Sequence, residues 1–215
     1  MVRTNRKPSE LITKEVLLNA IMFDMAVAGS TNAVLHLLAY AYELGIKLTY
    51  EDFDKYAEEI KCINAVIPSG PYTVVDFHYA GGVMNVMKQL EGKLFTDAPS
   101  IYGTTWGEML SKIEAKENKV IHSLENPVST LPGLKIMRGN ITPNGAIVRP
   151  TAVYEEVKYI KEKPKYLKEI TRPSRRFRTG DRSWRYYCHP LRRMQGSAGH
   201  EGIDAQHRRP HRQRA

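Results

Sequence analysis

The sequence predicts a mixed α/β chain, helix-rich to about residue 118, with short strands after it and a disordered tail. Three observations carry that expectation. Apolar residues recur at helical spacing in most segments before Asn118. From Lys119 the period falls to two, and Pro, Gly and Asn turns separate short apolar runs. Beyond Thr171 both periods vanish and the composition changes abruptly.

The first helix is expected over Glu15–Ala28, with Val16, Leu17, Ala20, Ile21 and Met25 on one face and Thr13 as N-cap. The run Ala28-Gly-Ser-Thr-Asn32 interrupts it. A second, strongly apolar helix is expected from Ala33 to Leu44, ending at Gly45, the residue type that best ends a helix in left-handed backbone. Thr49-Tyr-Glu-Asp52 reads as a capping box opening a third helix to about Ile60. Cys62–Ile67 is β-like and stops at Pro68-Ser-Gly70. Gly82–Leu90 is expected to be helical with Val83, Val86, Met87 and Leu90 inward, and Trp106–Ile113 to be a further helix. VIHSL (120–124), LKIMRGNI (134–141) and GAIVRP (145–150) are expected as short strands. Asn144-Gly145 supplies a hairpin turn between the last two. Trp106, the helix methionines and Cys62 are expected in the core.

Charge divides the chain more sharply than hydrophobicity does. Met1–Thr171 carries 20 basic and 20 acidic residues, whereas Arg172–Ala215 carries 12 arginines against 3 acidic residues. The whole net charge of +9 therefore belongs to the tail. The first part uses 16 Lys and 4 Arg, and the tail uses no Lys at all. No apolar run approaches the roughly 20 residues of a membrane span. The N-terminus, MVRTNRKPSE, lacks the apolar core of a secretory signal. Two widely spaced cysteines, Cys62 and Cys188, point to a reducing, cytoplasmic setting.

Four clusters of small and hydrogen-bonding residues stand between the apolar stretches: AGSTN (28–32), PSGPYTVVDFHYAGG (68–82), LENP (124–127) and RGNITPNGAIVRP (138–150). Such clusters suit places where backbone approaches a ligand closely. AGSTN is either a helix junction whose hydroxyls cap its own backbone or a helix N-terminus aimed at an anion. Asp76 and His78, read in an extended stretch, fall on one side, where an Asp can fix a His for proton work; the alternative is a loop His bonded to backbone.

In this order, the runs AGSTNAVLHLLA, LTYEDFD, PSGPYTVVDFHYAGG, GTTWGEML, LENP and GLKIMRGNITPNGAIVRPTAV resemble the dihydroxy-acid dehydratase and sugar-acid (phosphogluconate) dehydratase superfamily over about Pro8–Val153. Ala28 departs from the resemblance, since the family usually has a second glycine there. The resemblance implies a hydro-lyase that turns a 2,3-dihydroxy acid into a 2-oxo acid, as in valine and isoleucine (branched-chain amino acid) biosynthesis, or acts on an aldonic or phosphogluconate sugar acid. It implies an iron–sulfur cluster acting as Lewis acid, and Mg²⁺ gripping the substrate carboxylate. It implies an α/β domain followed by a β-barrel domain. Residues 1–118 then form the C-terminal part of the first, and 119–171 the start of the second plus a Lys-rich linker. The cluster cysteines, the carbamylated lysine and most magnesium ligands of the family lie upstream of the matched part. Neither Cys62 nor Cys188 sits in those motifs, so no metal ligand or catalytic residue is assigned. Ser30, Thr31, Asn32 and His78 are the candidate substrate-binding residues. No cofactor is expected to be held by this fragment, which is expected to be inactive alone; the whole enzymes are expected to be homo-oligomers.

The tail, 172–215, departs from the family pattern. Yet codons compatible with Arg172–Arg178, read one nucleotide later, spell GPAVVFE, and those from Trp184 onward spell a run containing VIRYEG and PGM, as the family continues. The tail is therefore expected to be an out-of-frame translation and disordered, with Met1 starting inside the gene. A competing class is a nucleic-acid-binding protein, with tail arginines on phosphates and Trp184, Tyr186 and Tyr187 stacking on bases. Nucleic acid and membrane are nonetheless not the expected partners.

Overall fold

The computed structural model describes residues 5–139 and 142–153, all within one compact unit, Met1–Lys158. The Lys-rich linker, the tail and Cys188 lie outside the described residues. Seven helices come first: α1 (Pro8–Leu11), α2 (Lys14–Val27), α3 (Thr31–Glu43), α4 (Tyr50–Glu59), α5 (Val74–Tyr79), α6 (Gly82–Gln89) and α7 (Trp106–Leu110). Two short strands follow, β1 (Lys135–Met137) and β2 (Ala146–Val148), and a 3₁₀ turn at Pro150–Ala152. The architecture is mixed helix and small sheet.

α2 is the hub, and its sequence says why. Leu17, Leu18, Ile21, Met22, Met25 and Ala26 are all buried, which is more than one apolar stripe and suits a helix packed on several sides. It packs against α3, α4 and α6. Thr13 Oγ1 caps it by accepting from the Val16 amide at 3.4 Å. α4 opens on the expected capping box, with Asp52 Oδ2 accepting from the Thr49 amide at 2.9 Å, and it delivers Phe53 and Tyr56 to the core. α6 enters the core only from Asn85 onward. Val83, in its first turn, is half exposed rather than inward, while Val86, Met87 and Leu90 are buried.

α3 begins two residues earlier than expected and ends as expected, with Gly45 at φ +66°. It is less buried than its composition suggests. Only Val34 and Ala41 are fully inside, and Leu35, Tyr40 and Tyr42 are exposed. α7 stops at Leu110, short of the expected Ile113. Ser111 Oγ takes the Glu108 carbonyl at 2.9 Å and the chain turns, a local bond that competes with helix continuation.

The β-like run at Cys62–Ile67 is extended but pairs only through isolated bridges, Cys62 with Ser129, Asn64 with Ile121 and Val66 with Tyr72. VIHSL likewise contributes the single bridge at Ile121. Among the described residues the sheet is one antiparallel pair, with Ile136 opposite Ile147. The strands do not want for partners: Ile136 is buried, and β1 packs on α4. Arg138 adds an ion pair to Asp54 at 2.5 Å. Ile121, Leu134 and Ile136 share one core with the helices before residue 118. Gly145, at φ +102°, turns the chain into β2 as the Asn144-Gly145 signal requires, although the connection is longer than a two-residue hairpin.

Candidate functional site

The corner between α2 and α3 is where the motif clusters meet. A helix leaves its last carbonyls without partners inside the helix. At α2 donors from elsewhere meet them. Gly29 N–H reaches the Asp24 carbonyl at 3.0 Å, Gly133 N–H the Met25 carbonyl at 3.0 Å, and Ile63 N–H the Ala26 carbonyl at 2.9 Å. Asn64 Nδ2 donates to the Val27 carbonyl at 3.4 Å, and Arg149 Nη2 to the Gly29 carbonyl. A guanidinium at a helix C-terminus also suits the partial negative charge there. Residues more than one hundred positions apart thus close on one turn.

Ala28 makes that turn in left-handed backbone, φ 48°, ψ 54°, a conformation that glycine adopts more readily. Gly29 has no room for a side chain, since a Cβ would overlap the Asp24 carboxylate. Ser30 then caps α3, its Oγ accepting from the Asn32 amide at 3.2 Å. The PSG loop reaches the same end of the chain through Ser69 Oγ and Thr151 Oγ1, 2.9 Å apart.

Asp24 is the unusual group of this corner. It is 7 % exposed, and burial pushes its carboxyl up to about 7, against the opposing pull of the Arg149 charge and a hydrogen bond from the Ser30 backbone. Cys62, close by, is fully buried, and burial raises its thiol too, so it behaves as a small core residue rather than a nucleophile. Sequence reasoning missed Asp24, Asn64 and Arg149 as a group. One signal was present: Asp24 follows Leu17 by seven and Ile21 by three, which places it on the buried face of α2.

Ser30, Thr31 and Asn32 lie together at the start of α3 and are exposed. His78 is exposed on α5, its ring edge-on to Tyr79 at 5.5 Å, and no hydrogen bond or ring contact joins it to the α3 start among the described residues. The extended reading of residues 76–78 is corrected. Thr73 and Asp76 form a capping box that starts a helix, with Asp76 Oδ2 accepting from the Thr73 amide and hydroxyl at 2.7 Å each. Two residues apart on a helix, Asp76 and His78 point away from each other. The Thr73 bonds hold the Asp76 carboxyl below the usual range. Asp76→Ala is expected to fray α5, seen as several-fold faster amide exchange at Phe77 and His78, with the His78 ring resonances unmoved. A shifted His78 ring would restore the paired reading. An open groove of about 1320 Å³ runs beside this helix, lined by Tyr72, Tyr79, Met84, Asn85 and residues 112–120.

The described residues do not fit a metal or cluster. Among them no group of three His, Cys, Asp or Glu comes together, and Cys62 is spent on the Asn64 carbonyl inside the core. Asp24 and Asn64 offer oxygens, but the Arg149 guanidinium beside them opposes a cation. Among the described residues, no helix is long and apolar enough to cross a membrane.

Comparison with known proteins follows the same motifs. A family model described as the N-terminal part of dihydroxy-acid/6-phosphogluconate dehydratase matches residues 1–109, and the C-terminal model of that family matches 119–181. The chain belongs to this dehydratase family. It is 42% identical over 159 residues to a dihydroxy-acid dehydratase of Ignicoccus hospitalis, covering 73% of this chain and 29% of that protein. It is 41% identical over 157 residues to one of Methanoregula boonei (73% and 28%), and 39% identical over 153 to one of Geobacter sulfurreducens (71% and 28%). The chain spans less than a third of the length of these dehydratases.

Proposed function

We propose that this chain is part of a hydro-lyase that converts a 2,3-dihydroxy acid to a 2-oxo acid in branched-chain amino acid biosynthesis. Identity of about 40% to dihydroxy-acid dehydratases across the segment holding all the motif runs carries the reading. In this reaction an α-proton and a β-hydroxyl leave, and the resulting enol tautomerises to the oxo acid. The family's iron–sulfur and Mg²⁺ chemistry would be supplied by portions of the relatives that this chain does not cover; no step is assigned to it here. Ser30, Thr31 and Asn32 at the start of α3, and His78 on α5, are proposed to bind the acid. A helix start with exposed hydroxyls favours a carboxylate. The 119–171 stretch is proposed to open a β-barrel domain, and the site to work in a soluble, cytoplasmic enzyme.

The test is a chimera in which residues 8–153 replace the matching stretch of a full-length dihydroxy-acid dehydratase. Oxo-acid formation from a branched 2,3-dihydroxy acid is expected, with little from gluconate or 6-phosphogluconate. The reverse preference would move the assignment to the sugar-acid branch. In the chimera, Asn32→Ala or His78→Ala is expected to lower kcat/KM about tenfold or more, by removing a substrate contact. The 215-residue chain alone is expected to form no oxo acid, and turnover by it would overturn the fragment reading. The out-of-frame tail is tested by the coding DNA, where the codons of Arg192 and Arg193 must be CGA followed by AGG to spell the Glu-Gly of VIRYEG.

A further inference from the structure

Three buried side-chain atoms among the described residues have no hydrogen-bond partner: Asp24 Oδ2, Asn64 Oδ1 and Arg149 Nε. All three residues belong to the α2–α3 corner, and Asp24 and Asn64 are more than nine-tenths buried. A guanidinium presents Nε and one Nη side by side, a fork that grips a carboxylate with two bonds. Here Nη2 is on the Gly29 carbonyl and Nε is idle, while Asp24 holds an idle oxygen and feels the Arg149 charge. Asp24 lies against Gly29 but is unpaired with the guanidinium here, so it stands as an alternative partner, and the proton on Asp24 decides whether it is taken. A neutral carboxyl makes a weak claim. A buried carboxylate makes a strong one, because pairing with the fork satisfies two orphaned atoms at once.

We propose that Asp24 and Arg149 form a proton-gated catch on the α2–α3 corner: protonated Asp24 leaves Arg149 on the Gly29 carbonyl, and ionised Asp24 draws it off. Release frees the Gly29 carbonyl, while the Ser30 N–H bond to Asp24, which favours the ionised form, tightens at the start of α3. The groups acting on Asp24 are few. Arg149, following β2, brings the opposing charge, and α3 brings the Ser30 N–H. Asn64 and the Cys62 thiol are the polar groups of the neighbouring extended run, and among the described residues α4 and α6 bring no charge to bear on it. Burial keeps the carboxyl near neutrality, so the catch changes state around physiological pH. The inference rests on the corner's own geometry and stands apart from the dehydratase reading, as its test does from turnover.

The full 215-residue chain, labelled with ¹⁵N and ¹³C, is titrated by NMR from pH 5 to 9. The Asp24 carboxyl, the Arg149 Nε–H and the Gly29 carbonyl carbon are expected to move together through one midpoint near neutrality. The Nε–H proton should move downfield by about 1 ppm as Asp24 ionises, and exchange at the Ser30 amide should become slower than pH alone predicts, since the carboxylate is its better acceptor. Asp24→Asn should hold the Arg149 Nε–H, the Gly29 carbon and the Ser30 amide at their low-pH values. Arg149→Lys keeps the charge but lacks the fork; the carboxyl should still titrate while the Gly29 carbon stays flat. A Gly29 carbon and Nε–H that ignore Asp24 ionisation in the parent chain overturn the catch. So does a Gly29 response that survives in either variant that folds.

Discussion

Gly133→Ala is expected to cost about 3 kcal/mol or more of stability, measured by denaturant unfolding. The Gly133 amide sits on the Met25 carbonyl at 3.0 Å, and a Cβ there would overlap that carbonyl and lie 2.5 Å and 2.7 Å from Ala28 Cα and N. Every atom it meets is backbone, so no side-chain rotation relieves the clash. Room could come only from pulling residues 132–134 off the end of α2, which gives up the hydrogen bond and disturbs the burial of Leu134. Gly92 supplies the control. Nothing lies within 4 Å of a Cβ at that position, and Gly92→Ala is expected to change stability by about 0.5 kcal/mol or less. Equal effects at the two positions would mean that the close approach of Gly133 to α2 is not present in solution.

Stability is expected to fall as pH rises from 5 to 8, by about 2 to 3 kcal/mol from Asp24 alone. The sign follows from proton binding. The folded carboxyl titrates at about 7 and the unfolded one at the ordinary 3.8, so between these values the folded chain holds the extra proton. Stability then decreases with pH through that window and levels off above the folded pKa. Asp24→Asn keeps the shape and removes the charge, and should flatten this part of the profile. A parent chain whose stability is level across that range would show that Asp24 is already well paired when folded.

Much of the helical part was legible because its signals are local. Thr13, Thr49-Asp52, Gly45 and the spacing of Leu17, Ile21 and Met25 each act within one or two turns, and the structure uses all of them as read. The errors have different causes. Residues 76–78 read as extended because Asp76 and His78 suggest proton chemistry, whereas Thr73 and Asp76 form a capping box, itself a local signal. Cys62–Ile67 and VIHSL carry strand-like composition, but pairing needs a partner, and their partners are single residues brought from elsewhere. α3 is strongly apolar yet only Val34 and Ala41 are fully inside, because composition records apolarity, not what the rest of the fold leaves to cover it.

The sequence by itself determined the family, five of the seven described helices, the caps at Thr13 and Thr49 and the hairpin glycine, since each rests on neighbours along the chain. The tertiary structure alone decided that Asp24, Asn64, Gly133 and Arg149 belong to one corner. Asn64, Gly133 and Arg149 satisfy carbonyls at the end of α2 and in the turn after it, and no local pattern says which distant donor will do so. Burial then turned an ordinary-looking aspartate into a group poised near neutral pH, because the cost of charging it depends on what surrounds it in space rather than in sequence.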